Sequence, residues 1–166
     1  MTPTDETLLE KYLKLPDQLE AAIAGLDEDQ LDLNLGKGWS IRQYVHHTVE
    51  GEMMWQLFLR AILGQDGIEF PIQWYFAISQ DQWAERWASG KRLVGPTLAL
   101  FRGSTASLAE LLHNMPAKAW EHFGRVTWPG SDKETHLTVR DIVRMHLGHT
   151  EHHTADIQAI RKAHVV

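Results

Sequence analysis

Cysteine is absent from all 166 residues, which removes disulfide frameworks, thiolate zinc sites, iron–sulfur clusters and a cysteine nucleophile from consideration. Long apolar runs are missing too. The longest are too short and too interrupted to span a bilayer. The opening Met1-Thr2-Pro3-Thr4-Asp5-Glu6 lacks the basic and then apolar regions of a signal peptide. A cytoplasmic protein with no membrane partner is therefore expected. No stretch concentrates Lys and Arg, and the formal net charge is −6. Nucleic acid is then a poor partner, because binding it requires clustered cations to neutralise phosphates. Nor is there an internal repeat, a low-complexity tract or a linker, so residues 1–166 read as one domain. With 43% hydrophobic and 23% charged residues the composition is that of a folded chain. A chain of 19.0 kDa is large enough to bury a core without covalent staples.

What is present is helical patterning almost throughout. Leu8, Tyr12, Leu15, Leu19, Ala22 and Leu26 recur at three- and four-residue steps, one face of an amphipathic helix. Pro16 lies inside that stretch and predicts a kink or break near Leu15, since proline lacks the N–H that a helix interior needs. The pattern ends in a loop from Gly25 to Gly38. Ser40-Ile41-Arg42-Gln43 has the form of a capping box and opens a second helix from Ile41 to Leu63, stopped by Gly64-Gln65-Asp66-Gly67. Residues 65 to 93, with Trp74, Trp83 and Trp87, read as a long crossover holding one short helix. Pro96 suits the first turn of a third helix, with Leu98, Phe101, Thr105, Leu108, Leu112 and Met115 at helical spacing before Pro116. Thr138-Val139-Arg140-Asp141 is another capping box and launches a fourth helix to about Lys162. No segment reads as a strand pair. The expected fold is all-α, a four-helix bundle with one long crossover connection.

Histidine is abundant and unevenly placed: five of ten fall between His146 and His164, and another two stand at His46 and His47. Residues four apart on a helix stand one above the other, so the imidazoles of His149 and His153 can converge on one cation. His146, His149, His153 and Asp156 share one narrow stripe bordered by Ile142, Ile157 and Ile160, which turns this polar stripe towards the core. Buried imidazoles need a partner, and a metal ion is one. Backbone and water are the ordinary alternative. A third ligand must come from another helix. His47 lies near the middle of the second helix with Tyr44, Gly51 and Met54 on its face, and the glycine would admit a close approach. Three histidines with an open position match a catalytic metal site, since structural zinc sites usually close with four protein ligands. His46 and His152 project away from their neighbours and are expected at the surface or behind the ligands. Glu50 and Asp156 each lie one turn from a candidate ligand, where they could orient an imidazole or serve as a base, and Glu50 could be a further ligand. Most tryptophans are expected to pack the core and crossover. Trp39 and Trp55, near the second helix, are the ones to follow into the site.

The segment Gly38-Trp39-Ser40-Ile41-Arg42-Gln43-Tyr44-Val45-His46-His47-Thr48-Val49-Glu50 resembles a signature of the DinB/YfiT-like superfamily. There a Trp-Ser/Thr-x-Arg-x start leads into a helix carrying His and, three residues later, Asp or Glu. The family's second signature, a Leu-Thr-rich helix start followed by His-x-x-His-His, is similar to Leu137-Thr138 and His149-Thr150-Glu151-His152-His153. The resemblance covers nearly the whole chain. It implies an up-down-down-up four-helix bundle, a homodimer, and a zinc or nickel ion on His47, His149 and His153. Its members include bacillithiol, mycothiol and glutathione S-transferases, a mycothiol-dependent maleylpyruvate isomerase, and many proteins named by inference as metal-dependent hydrolases. The family's name refers to DNA-damage induction and carries no DNA-binding mechanism. Two departures set this chain apart from the thiol transferases. Val49-Glu50-Gly51-Glu52 stands where those often read Ala-Asp-Ser-His, and Asp156 stands where a further His is common.

The resulting expectation is an enzyme whose metal activates a low-molecular-weight thiol for transfer to an electrophilic small molecule. Hydrolysis is the alternative, with water at the open position and Glu50 or Asp156 moving the proton. A binding or stress protein with a structural metal is the third reading.

Overall fold

The computed structural model describes residues 1–166. Six α-helices, α1 (Pro3–Leu13), α2 (Leu15–Ile23), α3 (Ile41–Gly64), α4 (Gln80–Arg86), α5 (Val94–Asn114) and α6 (Val139–His164), are joined by loops carrying three short strands. α1 and α2 are the two halves of the first predicted helix. Pro16 separates them at Lys14 and occupies the first turn of the second half, where its missing N–H costs nothing. α1 with α2, α3, α5 and α6 pack side by side as four helical columns, and α3 touches both α5 and α6. The fully buried side chains, among them Tyr12, Leu19, Phe58, Phe101, Leu112 and Trp120, fill the space between the columns. Each large apolar side chain removed from water contributes roughly 1.5–3 kcal/mol.

Both predicted capping boxes are present. Ser40 Oγ accepts from the Gln43 backbone N–H while the Gln43 side chain accepts from Ser40 N–H, and Thr138 and Asp141 do the same for α6. Arg42, four per cent exposed, explains why an arginine follows the first cap. Its guanidinium donates to Asp32 at 2.7 Å, to the Glu28 carbonyl at 2.9 Å and to the Arg92 carbonyl at 3.1 Å. One side chain thus ties both the loop before α3 and the end of the crossover to the start of that helix.

The expectation of an all-α fold needs one correction. Three strands, β1 (Ile68–Glu69), β2 (Phe123–Thr127) and β3 (Glu134–Thr138), form a small sheet in the order β1-β2-β3, parallel then antiparallel. A second long connection, between α5 and α6, therefore carries a hairpin. Strands of two to five residues are too short for an alternating pattern to stand out. Along β2 only Gly124 and Val126 turn inward, and Gly124 is there because Phe58 of α3 lies where its Cβ would be. No helix is long and apolar enough to cross a membrane.

Candidate metal centre

α3 and α6 are neighbours, and their contact brings His47 against His149 and His153. Ring centroids are 5.3 Å apart for His47 and His149, 4.9 Å for His47 and His153, and 4.7 Å for His149 and His153, all edge-to-face. One nitrogen from each ring lies within 4.8 Å of the others. Nε2 of His47 and Nε2 of His149 face each other at 3.4 Å. The close approach depends on Gly51, one turn along α3 from His47. A Cβ there would sit 2.8 Å from His149 Cε1. The opening that the sequence places at this glycine is filled by an imidazole.

Burial is the main cause of depressed basicity in all three rings. The His47 pKa is pushed down to about 3, with repulsion from His149 and His153 added. That of His149 falls to about 4, with repulsion from His153 and His152. His153 is lowered by burial and partly restored by Asp156. Near neutral pH all three imidazoles are therefore uncharged and carry a free lone pair, the state a cation requires.

The outer nitrogens decide which lone pair faces inward. Nδ1 of His153 meets Asp156 Oδ2 at 3.0 Å, and Nδ1 of His149 meets Glu52 Oε1 at 3.3 Å. A carboxylate accepting from Nδ1–H leaves Nε2 unprotonated, so each acid sets the tautomer and ring angle of a candidate ligand. Asp156 stands in the supporting position that its spacing allows. Glu50 does not face the cluster. Its carboxylate is taken up by Arg92 at 2.5 Å, and burial raises its pKa against the pull of that guanidinium.

Glu52 supports the cluster from α3, and the sequence reading passed over it. One per cent exposed, it also contacts Nδ1 of buried His146 and receives Thr150 Oγ1 at 3.4 Å. A signal was available. Val45, Val49, Glu52, Gln56 and Leu59 form one buried stripe of α3, and a carboxylate inside such a stripe requires a partner. His46 meets neither half of its expectation, being buried yet turned to α5 and the end of the crossover rather than to a candidate ligand. Its Nδ1 lies 2.9 Å from Thr97 Oγ1 and its Nε2 3.2 Å from the Arg92 carbonyl. A turn of 100° away from His47 leads to the surface only on a helix packed on one side, and α3 packs against α5 as well as α6. His152 is exposed as expected, with its side chain 71% accessible.

Two aromatic features adjoin the cluster. Trp39 packs edge-on to His47 at 4.5 Å, and its indole N–H donates to Asp81 of α4 at 2.7 Å. On the other side His47 and His149 border a cavity of about 220 Å³ that Trp55 helps to wall. Both tryptophans singled out in the sequence thus touch the site.

The pattern of the DinB superfamily matches residues 11–157. A protein of Geobacillus thermodenitrificans is 30% identical over 150 residues, covering 90% of this chain and 79% of its own. One of Geobacillus kaustophilus is 32% identical over 152 residues, covering 89% and 79%. Both are named, by inference, metal-dependent hydrolases. Among solved structures, YfiT of Bacillus subtilis, described as a four-helix bundle of unusual topology, superposes with a TM-score of 0.81. It shares 19% identity, with 98% of this chain and 89% of that one covered. A mycothiol-dependent maleylpyruvate isomerase superposes with a TM-score of 0.63 at 14% identity, covering 95% and 63%. This chain belongs to the DinB superfamily.

Proposed function

We propose that His47, His149 and His153 hold a divalent cation, zinc or nickel, through their Nε2 atoms, and that the protein is an enzyme transferring a small thiol to an electrophile. The carrying observation is the convergence of three neutral imidazoles from two helices, two of them braced from behind by Glu52 and Asp156. The donor set fits the ion. It is uncharged, it is borderline-soft, and three ligands leave a coordination position for a substrate. A cation in this place supplies Lewis acidity, which lowers the pKa of a thiol or of water enough to make a nucleophile at neutral pH.

The disposition of the carboxylates favours a thiol over water. Hydrolysis calls for a base to accept the proton of water and return it to the leaving group. Glu50 is held by Arg92, Asp156 by His153, and Glu52 by His146 and His149. None of the three stands free at the cavity. A thiol, being far more acidic than water, would release its proton to solvent, which would also protonate the departing or opened group of the electrophile, so no such base is needed. The chain has no cysteine, so the sulfur comes from a separate small molecule. What remains for the protein is to keep the imidazoles neutral and aligned and to hold the electrophile in the adjoining cavity. Hydrolysis stands as the second reading because the Geobacillus relatives are named for it.

The test has two parts. Elemental analysis of untagged protein should find close to one equivalent of a divalent metal, and His153→Ala should lose most of it while keeping its helical circular dichroism. Full occupancy in that variant would sink the assigned triad. Metal-loaded protein mixed with a generic electrophile and a panel of low-molecular-weight thiols should consume thiol faster than the uncatalysed mixture. Ester turnover without added thiol would favour hydrolysis instead.

A further inference from the structure

The cavity beside His47 and His149 has a definite chemical character. Its walls come from two distant parts of the chain, Met54 and Trp55 on α3 and Tyr75 and Phe76 in the crossover, with Gly51 and the two imidazoles at one end. No Asp, Glu, Lys or Arg lines it. Gln80 contributes the one amide. The walls are braced from behind. Trp55 packs on Trp128 at 6.0 Å and on Phe70 at 6.1 Å, and Phe76 meets Trp128 at 6.0 Å. Tyr75 lies parallel to Trp83, and its hydroxyl donates to Gln80 Oε1 at 2.8 Å. Because that oxygen is already engaged, Gln80 presents N–H donors to whatever occupies the space.

We propose that this cavity is the binding site for the molecule under attack, and that this molecule is electrically neutral, compact and apolar or aryl. A hydrogen-bond acceptor on it would meet the Gln80 amide, and its reacting atom would lie at the histidine end. That it is the molecule attacked rests on the function proposed above. That such a molecule binds here rests on the cavity alone.

Three physical points lead to this class. An anion would shed its water and find no cationic side chain in the lining, a loss that buried charges rarely recover. A cation likewise finds no carboxylate in the lining, and the aromatic faces alone repay only part of the water it sheds. The size suits a single ring, since an apolar cavity of about 150 Å³ takes up benzene. Phe76 is substantially exposed, so the crossover wall of the cavity faces solvent.

The test uses phenylacetamide, phenylacetate and phenethylammonium, which share one ring and differ in charge. Binding to the full chain is followed by calorimetry and by the indole N–H resonance of Trp55, assigned with Trp55→Phe. Chelator is present, so that no ion at the histidines captures the carboxylate. Phenylacetamide should shift the Trp55 signal and bind at least tenfold more tightly than either charged analogue. Met54→Trp, which fills the space, should weaken phenylacetamide at least tenfold. Phe76→Ala, at a partly exposed position where folding is not at stake, should weaken it severalfold. A charged analogue that binds as tightly as the amide, or wild-type affinity in both variants, would overturn the proposal. These readouts do not depend on bound metal. Failure here is thus separable from failure of the metal reading, which shows in the metal content of His153→Ala.

Discussion

Gly51→Ala tests the site more sharply than removal of a ligand does, because it deletes no candidate ligand. The new methyl carbon would lie 2.8 Å from His149 Cε1, about 0.7 Å inside the 3.5 Å at which carbon atoms begin to pack comfortably. Something must move, and α3 cannot, being clamped between α5 and α6. The His149 ring can swing outward on its own side-chain bonds. That movement is cheap for the fold. Alanine is a better helix former than glycine by about 0.8–1 kcal/mol, which offsets part of an overpacking cost of roughly 1–3 kcal/mol. The melting temperature should accordingly change by only a few degrees, at about 2–4 °C per kcal/mol for a chain of this length. For the site the same movement is expensive. Metal–ligand distances tolerate deviations of about 0.2 Å, and the shift also stretches the 3.3 Å contact between His149 Nδ1 and Glu52. Loss of such support weakens binding by about 10–100-fold, and here the donor itself is displaced, so at least that much is expected. Competition against a chromophoric chelator measures it, with circular dichroism as the check on folding. Gly103→Ala is the control. A Cβ at that helical position meets nothing within 4 Å, so it should stabilise the protein by up to about 1 kcal/mol and leave metal affinity unchanged. Wild-type metal affinity in Gly51→Ala would refute the convergence of His149 on a shared cation.

Metal affinity should also respond to pH in an unusual window. His47 and His149 have pKa values pushed down to about 3 and about 4 and His153 is lowered as well, so protons should begin to compete with the ion only below the ordinary histidine value of about 6.5. A midpoint near 6.5, the ordinary histidine value, would contradict the burial argument. The same rings affect stability with a definite sign. Between pH 6.5 and about 3 the unfolded chain takes up protons that the folded chain refuses. Stability without metal is therefore full above pH 6.5 and declines on acidification through that window, which denaturant midpoints against pH would show. Glu52→Gln should lower metal affinity by about 10–100-fold, and an unchanged affinity would reduce Glu52 to a partner of His146 alone. Gly124→Ala places a Cβ 2.2 Å from Phe58 Cζ. Since Phe58 is fully buried, this should destabilise the protein by more than about 1–3 kcal/mol without touching the histidines, a difference that denaturant titration would reveal.

The helices were legible because their signals are local. Ser40 with Gln43 and Thr138 with Asp141 state where α3 and α6 begin, and Pro16 states where the first helix must break. The apolar periodicity that identifies a core face needs nothing outside its own segment. The spacing of His149 and His153 is local in the same way, and so is the gap left by Gly51. The strands left no comparable trace, because five residues of alternation in β2 and β3 owe their order to partners far along the chain. His46 was misplaced for a related reason, since its burial depends on a second neighbour of α3.

The sequence by itself therefore determined the bundle, two of the three converging histidines and the family resemblance that draws in the third. Tertiary structure decided which carboxylates matter. Glu50 and Glu52 are two residues apart on one helix and chemically alike, yet one is taken by Arg92 and the other turns to His146 and His149. Nothing local separates them. Only the packing of α6 on one side of α3 and of the crossover end on the other assigns their partners, and with them the tautomer of His149.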